Sequence, residues 1–231
     1  MYQERPARVP NVTVWRNTAP ADLAPGGSRA HLVLPDGCLD LIWNGSEVLV
    51  AGPDTRPSTA PMTRGRVDTG VRFSPGTGPA VLGVPAVELR DLRIPLGDLW
   101  QGDRVRRLSE LLVEAADPAA VLELLVAGRI REATPRPDPV IAEIVRGVRA
   151  GIPVAAIAAS LDLSQRQLHR VCLAAFGYGA KVLGRILRMD RALVLARRGV
   201  RFAEVAAVAG YADQSHLARE VRALTGTSLG R

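Results

Sequence analysis

Ile157-Ala158-Ala159-Ser160-Leu161-Asp162-Leu163-Ser164-Gln165-Arg166-Gln167-Leu168-His169-Arg170 returns later in the chain as Val205-Ala206-Ala207-Val208-Ala209-Gly210-Tyr211-Ala212-Asp213-Gln214-Ser215-His216-Leu217-Ala218-Arg219, with one extra residue in its turn. Counted from Leu168 and Leu217, both copies place an arginine two residues on (Arg170, Arg219) and a glycine nine residues on (Gly177, Gly226). Two such coincidences argue for duplication. Each copy reads as a short Ala-rich helix, a tight turn, an N-capping Ser164 or Asp213, and a second helix. The alanines have a mechanical purpose. Helices joined by so short a turn must approach closely, which Ala158, Ala159, Ala206 and Ala207 permit.

The second helix of each unit opens with polar residues. These are Ser164, Gln165, Arg166, His169 and Arg170 in one copy and Gln214, Ser215, His216 and Arg219 in the other. Faces of this kind enter a DNA major groove. Arg166, nearest the helix start, is the first candidate for reading a base, because a bidentate arginine–guanine pair discriminates by ~1–3 kcal/mol. Arg170 holds a phosphate or an internal carboxylate, and His169 faces DNA or solvent. Arg219 is equally consistent with an ion pair and with a phosphate clamp. Gln214, Ser215 and His216 start a helix, where the dipole favours phosphate. Between the copies, Ala180 to Arg197 reads as one amphipathic helix. Its length of roughly 27 Å approaches the ~34 Å of one DNA turn, so both units can reach successive grooves.

Charge supports this division. The chain of 231 residues carries a net +7, but residues 1–133 hold 15 Arg against 16 acids, and the remainder holds 14 Arg and Lys181 against 7 acids. The excess is all C-terminal, which points to a polyanion partner: nucleic acid first, a membrane surface second. A G+C-rich genome accounts for Arg over Lys but not for the asymmetry. Two cysteines and three histidines are too few for a disulfide framework or a thiolate zinc site. No run approaches the roughly 20 apolar residues of a spanning helix, and the first residues lack a secretory signal's apolar core, so a cytoplasmic protein with no membrane partner is expected.

The first hundred residues differ in kind. Short apolar runs at His31–Leu34, Leu39–Trp43 and Glu47–Ala51 are separated by Pro35-Asp36-Gly37, Asn44-Gly45 and Gly52-Pro53-Asp54, which are turn chemistry. Asn44-Gly45 marks the clearest hairpin. Helix-length periodicity is absent before residue 86, so a small barrel or sandwich is expected. From Arg104, Val105, Leu108, Leu111 and Leu112 recur at helical spacing, and Asp117-Pro118 opens a second helix. This helical hairpin either covers the barrel or pairs with another subunit. Three prolines among residues 134–139 mark the boundary. The expected fold class is α+β in two domains: residues 1–133, a small β barrel with a helical hairpin; residues 134–139, a linker; residues 140–231, an all-α domain of about seven helices.

The segment from Val140 to Leu229 resembles the DNA-binding domain of the AraC family of bacterial transcription regulators. The match rests on LDLSQRQLHRVCLAAFGYGAKVLGRILRMDRAL and, more specifically, on FAEVAAVAGYADQSHLAREVRALTGTS, with Gly210-Tyr211, Asp213-Gln214-Ser215-His216-Leu217, Arg219 and Thr225-Gly226. Ala180 stands where proline is usual. The resemblance implies seven helices, two helix-turn-helix units, a linking helix, and DNA contacts at Gln214 and His216. The first half is similar to cupin-like sensor domains through LPDGCLDLIWNG, VAGPDTRP, GVRFSPG and the stretch ending in PLGDLW. That similarity implies a ligand cavity and helices that mediate dimerisation.

The expected function is sequence-specific binding of operator or promoter DNA in response to a small-molecule effector, as a homodimer, with RNA polymerase a further partner and without cofactor or metal. Candidate ligand contacts are Cys38, Trp43 and Phe73; Trp15 and Trp100 are the other large aromatics considered for a pocket, with core packing the plainer reading for all of them. Three alternatives stand beside this reading: a thiol-based redox or alkylation sensor using Cys38, a metal-dependent cupin-like enzyme, and a module that sequesters a small molecule. No His/Glu cluster, Gly-rich phosphate loop or nucleophile–base pair favours the enzyme.

Overall fold

The computed structural model describes residues 1–24, 27–132 and 139–227. Strands β1 (Tyr2–Pro6), β2 (Val12–Thr18), β4 (Leu39–Trp43), β5 (Val48–Ala51), β7 (Val67–Phe73) and β8 (Arg93–Pro95) form an antiparallel sheet in the order β1-β2-β7-β4-β5-β8. Strands β3 (Ser28–Val33) and β6 (Ser58–Thr63) pair as a separate ribbon. The anticipated hairpin joins β4 to β5. There Asn44 Oδ1 accepts the Ser46 and Glu47 amides, and Gly45 adopts φ 92°.

Strand parity divides the large sheet into two faces. Val12, Val14, Leu39, Leu41, Trp43, Val48, Val50, Val71 and Phe73 point to a core completed by helices α1 (Gly78–Leu82), α2 (Ala86–Leu89), α3 (Gly102–Glu114) and α4 (Pro118–Glu132). Trp15, Asp40, Ile42, Leu49, Ala51 and Arg72 point to a cavity on the other face, closed by residues of β3 and β6. The α3–α4 hairpin covers the sheet through Leu108, Leu112, Leu122 and Val126. Asp117 caps α4 by accepting the Ala119 amide. Contrary to expectation, a helix precedes residue 86. At one turn, with Pro79 near its start and Gly83 at φ 83° ending it, α1 is too short to show periodicity.

The basic domain contains α5 (Pro139–Arg149), α6 (Val154–Ser160), α7 (Gln165–Phe176), α8 (Ala180–Arg197), α9 (Phe202–Ala209) and α10 (Gln214–Thr225), six helices among the described residues. The linker expected at 134–139 lies outside the described residues except for Pro139, which opens α5. Two separate cores form along α8. The first gathers Ile157, Leu168, Phe176, Leu183 and Ile186; the second gathers Met189, Ala192, Val205, Leu217 and Val221. Ala158 and Ala206 are buried at the helix crossings, whereas Ala159 and Ala207 face outward, so only one alanine of each pair serves close approach.

The β-rich part packs on the first helix-turn-helix unit. A Cβ added at Gly177 would lie 2.9 Å from Pro53 and 3.1 Å from the Ala86 carbonyl, and one at Gly76 would lie 2.3 Å from Ile141 and 3.0 Å from Phe176. Arg90 donates to the Gly177 carbonyl at 3.3 Å. Gly37, at φ +82°, sits where an added Cβ would be 3.5 Å from both Leu183 and Leu187 of α8.

Candidate DNA interface and effector cavity

The second helix of each helix-turn-helix unit is started by a side chain that its own backbone requires. Ser164 Oγ accepts the Gln167 amide, and Gln167 Oε1 accepts from the Ser164 amide, a reciprocal capping box. Asp213 Oδ1 accepts the His216 amide at 2.6 Å. Leu168 and Leu217 then point into the two cores, leaving Gln165, Arg166, His169 and Arg170 exposed on α7 and Gln214, Ser215 and Arg219 exposed on α10. Among the described residues Arg166, Arg170 and Arg219 form no ion pair. The ion pair considered for Arg219 is made by its neighbour Glu220, which Arg185 and Arg188 of α8 approach at 2.7 and 3.7 Å. The Arg185 hydrogen bond holds the Glu220 carboxyl below its ordinary range.

Two of the predicted DNA contacts have other occupations. His216 Nδ1 accepts the Ala212 amide at 3.3 Å, and its ring meets Tyr211 edge-on with centroids 5.3 Å apart. It braces the turn, and its imidazole is only partly exposed. The side chain of His169 lies over Gly179, where an added Cβ would be 3.0 Å from Nδ1. Arg188, half-buried beneath the second unit with its guanidinium 4.8 Å from the Tyr211 ring centre, is a scaffold cation that sequence reading missed. The Gly-Tyr pair was the available signal for it.

The cavity between the sheets has a volume of about 310 Å³. Cys38 lines it, as expected. Trp43 and Phe73 do not: they share the core-facing parity of β4 and β7 and are 4% and 0% exposed. Trp15, on the opposite parity of β2, is the cavity tryptophan, held by Nε1 donation to Asp40 at 2.6 Å. Trp100 is a core residue whose Nε1 donates to the Leu82 carbonyl. Arg72 reaches from β7 to Asp40 at 3.3 Å and Asp36 at 3.5 Å. Burial pushes the Asp40 carboxyl up against the pull of Arg72. The Cys38 thiol is also driven well up, first by burial and then by Asp36. A protonated thiol is a poor nucleophile, so the site does not favour the thiol-sensor alternative.

No group of three or more His, Cys, Asp or Glu among the described residues is placed to hold a metal ion. Nor is any helix among them long and apolar enough to cross a membrane. The paired helix-turn-helix scaffold carries exposed arginines on the second helix of each unit, Arg166 and Arg170 on α7 and Arg219 on α10. The comparisons with known proteins meet it there: a family model described as a helix-turn-helix domain matches residues 157–231.

The C-terminal segment is a helix-turn-helix domain.

A second model, a domain of unknown function (DUF6597), matches residues 13–95, the stretch that builds the cavity. No curated protein sequence matches the chain. Among solved structures, an apo variant of ToxT from Vibrio cholerae is similar with 12% identity, covering 97% of each chain at a TM-score of 0.49. ToxT from Vibrio cholerae O395 has 13% identity, covering 99% of this chain and 95% of that one at a TM-score of 0.46. ToxT bound to (E)-4-(8-methylnaphthalen-1-yl)but-3-enoic acid has 14% identity, covering 99% and 96% at a TM-score of 0.45.

Proposed function

We propose that this chain is a transcription regulator, and not an enzyme, in which a small molecule held between the two sheets alters how the AraC-type domain meets operator DNA. The observation that carries the reading is the pairing of two exposed, cation-bearing helix starts with a cavity domain seated against the far end of α7 in the first unit. An effector shifts such a system only if it binds one arrangement better than the other. The loop Asp36–Cys38 is suited to that, since Asp36 and Cys38 line the cavity while Gly37 packs on α8.

The same proposal places the protein in the cytoplasm as a homodimer. Leu111 and Val113 of α3 and Leu124 of α4 are 58%, 68% and 65% exposed, which supports pairing through that hairpin, and RNA polymerase is the further partner. The test is a gel shift on DNA upstream of the coding sequence at matched salt, with footprinting. Specific retardation that is weakened in both Arg166→Ala and Arg219→Ala supports the reading. Unchanged specific affinity in both variants defeats it.

A further inference from the structure

The charges lining the cavity do not balance. Asp36, Asp40, Asp54 and Asp68 face three guanidiniums, those of Arg66, Arg72 and Arg93, with His31 the one imidazole in the wall. Each guanidinium is already taken. Arg66 pairs with Asp68 at 2.6 Å, Arg93 with Asp54 at 2.5 Å, and Arg72 is shared by Asp40 and Asp36. An anionic ligand would have to displace a carboxylate from one of these pairs and leave it buried without a counter-charge, which is costly in a partly desolvated site. A cation meets the opposite situation, because Asp36 shares its only arginine with Asp40.

The rest of the wall fits such a guest. The Tyr2 and Trp15 rings stack with centroids 6.2 Å apart, and Ile42 and Leu49 supply aliphatic surface. Aromatic faces beside a carboxylate attract ammonium groups on apolar bodies. We propose that the effector is a small organic cation, an amine or quaternary ammonium carried on an aromatic or aliphatic body, with its charge at Asp36 and its body along Trp15. This rests on the reading of the cavity as an effector site.

The position of Asp36 also gives the cation a route to the DNA-binding part. On α8, Asp190 is half-buried, and burial, then the negative charge of Asp36, push its carboxyl up. Asp36 therefore stands between two other carboxylates, Asp40, with which it shares Arg72 at 3.5 and 3.3 Å, and Asp190 on α8, whose charge Arg197 counters as well as Arg72. A cation at Asp36 relieves their repulsion and stabilises the arrangement in which the loop packs against Leu183 and Leu187.

The experiment uses the full chain and matched probes: 2-phenylethylamine, 2-phenylethanol and 3-phenylpropanoate, together with their cyclohexyl counterparts. Binding is read by quenching of tryptophan fluorescence and by thermal shift. The amines are expected to bind at least about tenfold tighter than the alcohols and acids. Asp36→Asn is expected to abolish that preference; should this variant not fold, the ranking in the unmodified protein still decides. Equal or tighter binding of the acids or alcohols overturns the cation assignment while leaving the cavity an effector site. No response to any probe, in protein that still retards its DNA, overturns the assignment and withdraws support from the effector reading, while DNA binding stands.

Discussion

Arg166 carries the sharpest consequence. It stands exposed one residue into α7 without an ion pair among the described residues, so Arg166→Ala is expected to cost about 1–3 kcal/mol of DNA affinity and to relax preference at one base position. Arg170→Ala and Arg219→Ala should instead weaken binding evenly across sequences and lower the salt slope by about one each, as measured by titration at several salt concentrations. His216→Ala belongs to another class. Because its ring accepts the Ala212 amide, its loss should lower the melting temperature more than it changes base preference, separable by melting and footprinting. The arginines were legible in the sequence because repeat spacing fixes their place on a helix. The use of His216 was not, since a turn amide four residues back leaves no trace in residue order.

Among the elements, α8 and α10 are joined through Glu220, buried enough to need its arginines. Its carboxyl is held low in the folded protein, so its contribution is present above the ordinary carboxylate value of about 4.5 and is lost as pH falls through the lower folded value. Glu220→Gln is expected to cost about 1 kcal/mol near neutrality and to flatten the loss of stability on acidification, followed by chemical denaturation at several pH values. In the sheets, Gly70 lies beneath Trp15, where an added Cβ would be 2.5 Å from the ring. Gly70→Ala should therefore displace Trp15 from Asp40 and shift its fluorescence. The strands themselves were readable from alternation and from Asn44-Gly45. Which parity faced the cavity was not, and for that reason Trp43 and Phe73 exchanged roles with Trp15: alternation defines two faces but does not say which one meets the helices.

Across the assembled chain, the junction between the β-rich part and the first helix-turn-helix unit is made by complementary small residues, Gly37, Gly76 and Gly177. A side chain at Gly76 or Gly177 would wedge the two parts apart. Gly37→Ala is strained by its φ of +82° as well as crowded by Pro75 at 3.3 Å, and should raise hydrogen exchange in the loop and in α8 together. Such contacts join residues far apart in sequence, and nothing in composition or periodicity announces them. The two cores along α8 add an asymmetry. The junction described above falls on α5, α7 and the first turns of α8, all belonging to the earlier core, whereas α9 and α10 are built on the later one. Operator half-sites should accordingly differ in temperament: base changes beneath α7 will alter how strongly an effector is felt, while those beneath α10 will change occupancy by the same factor whether or not effector is present.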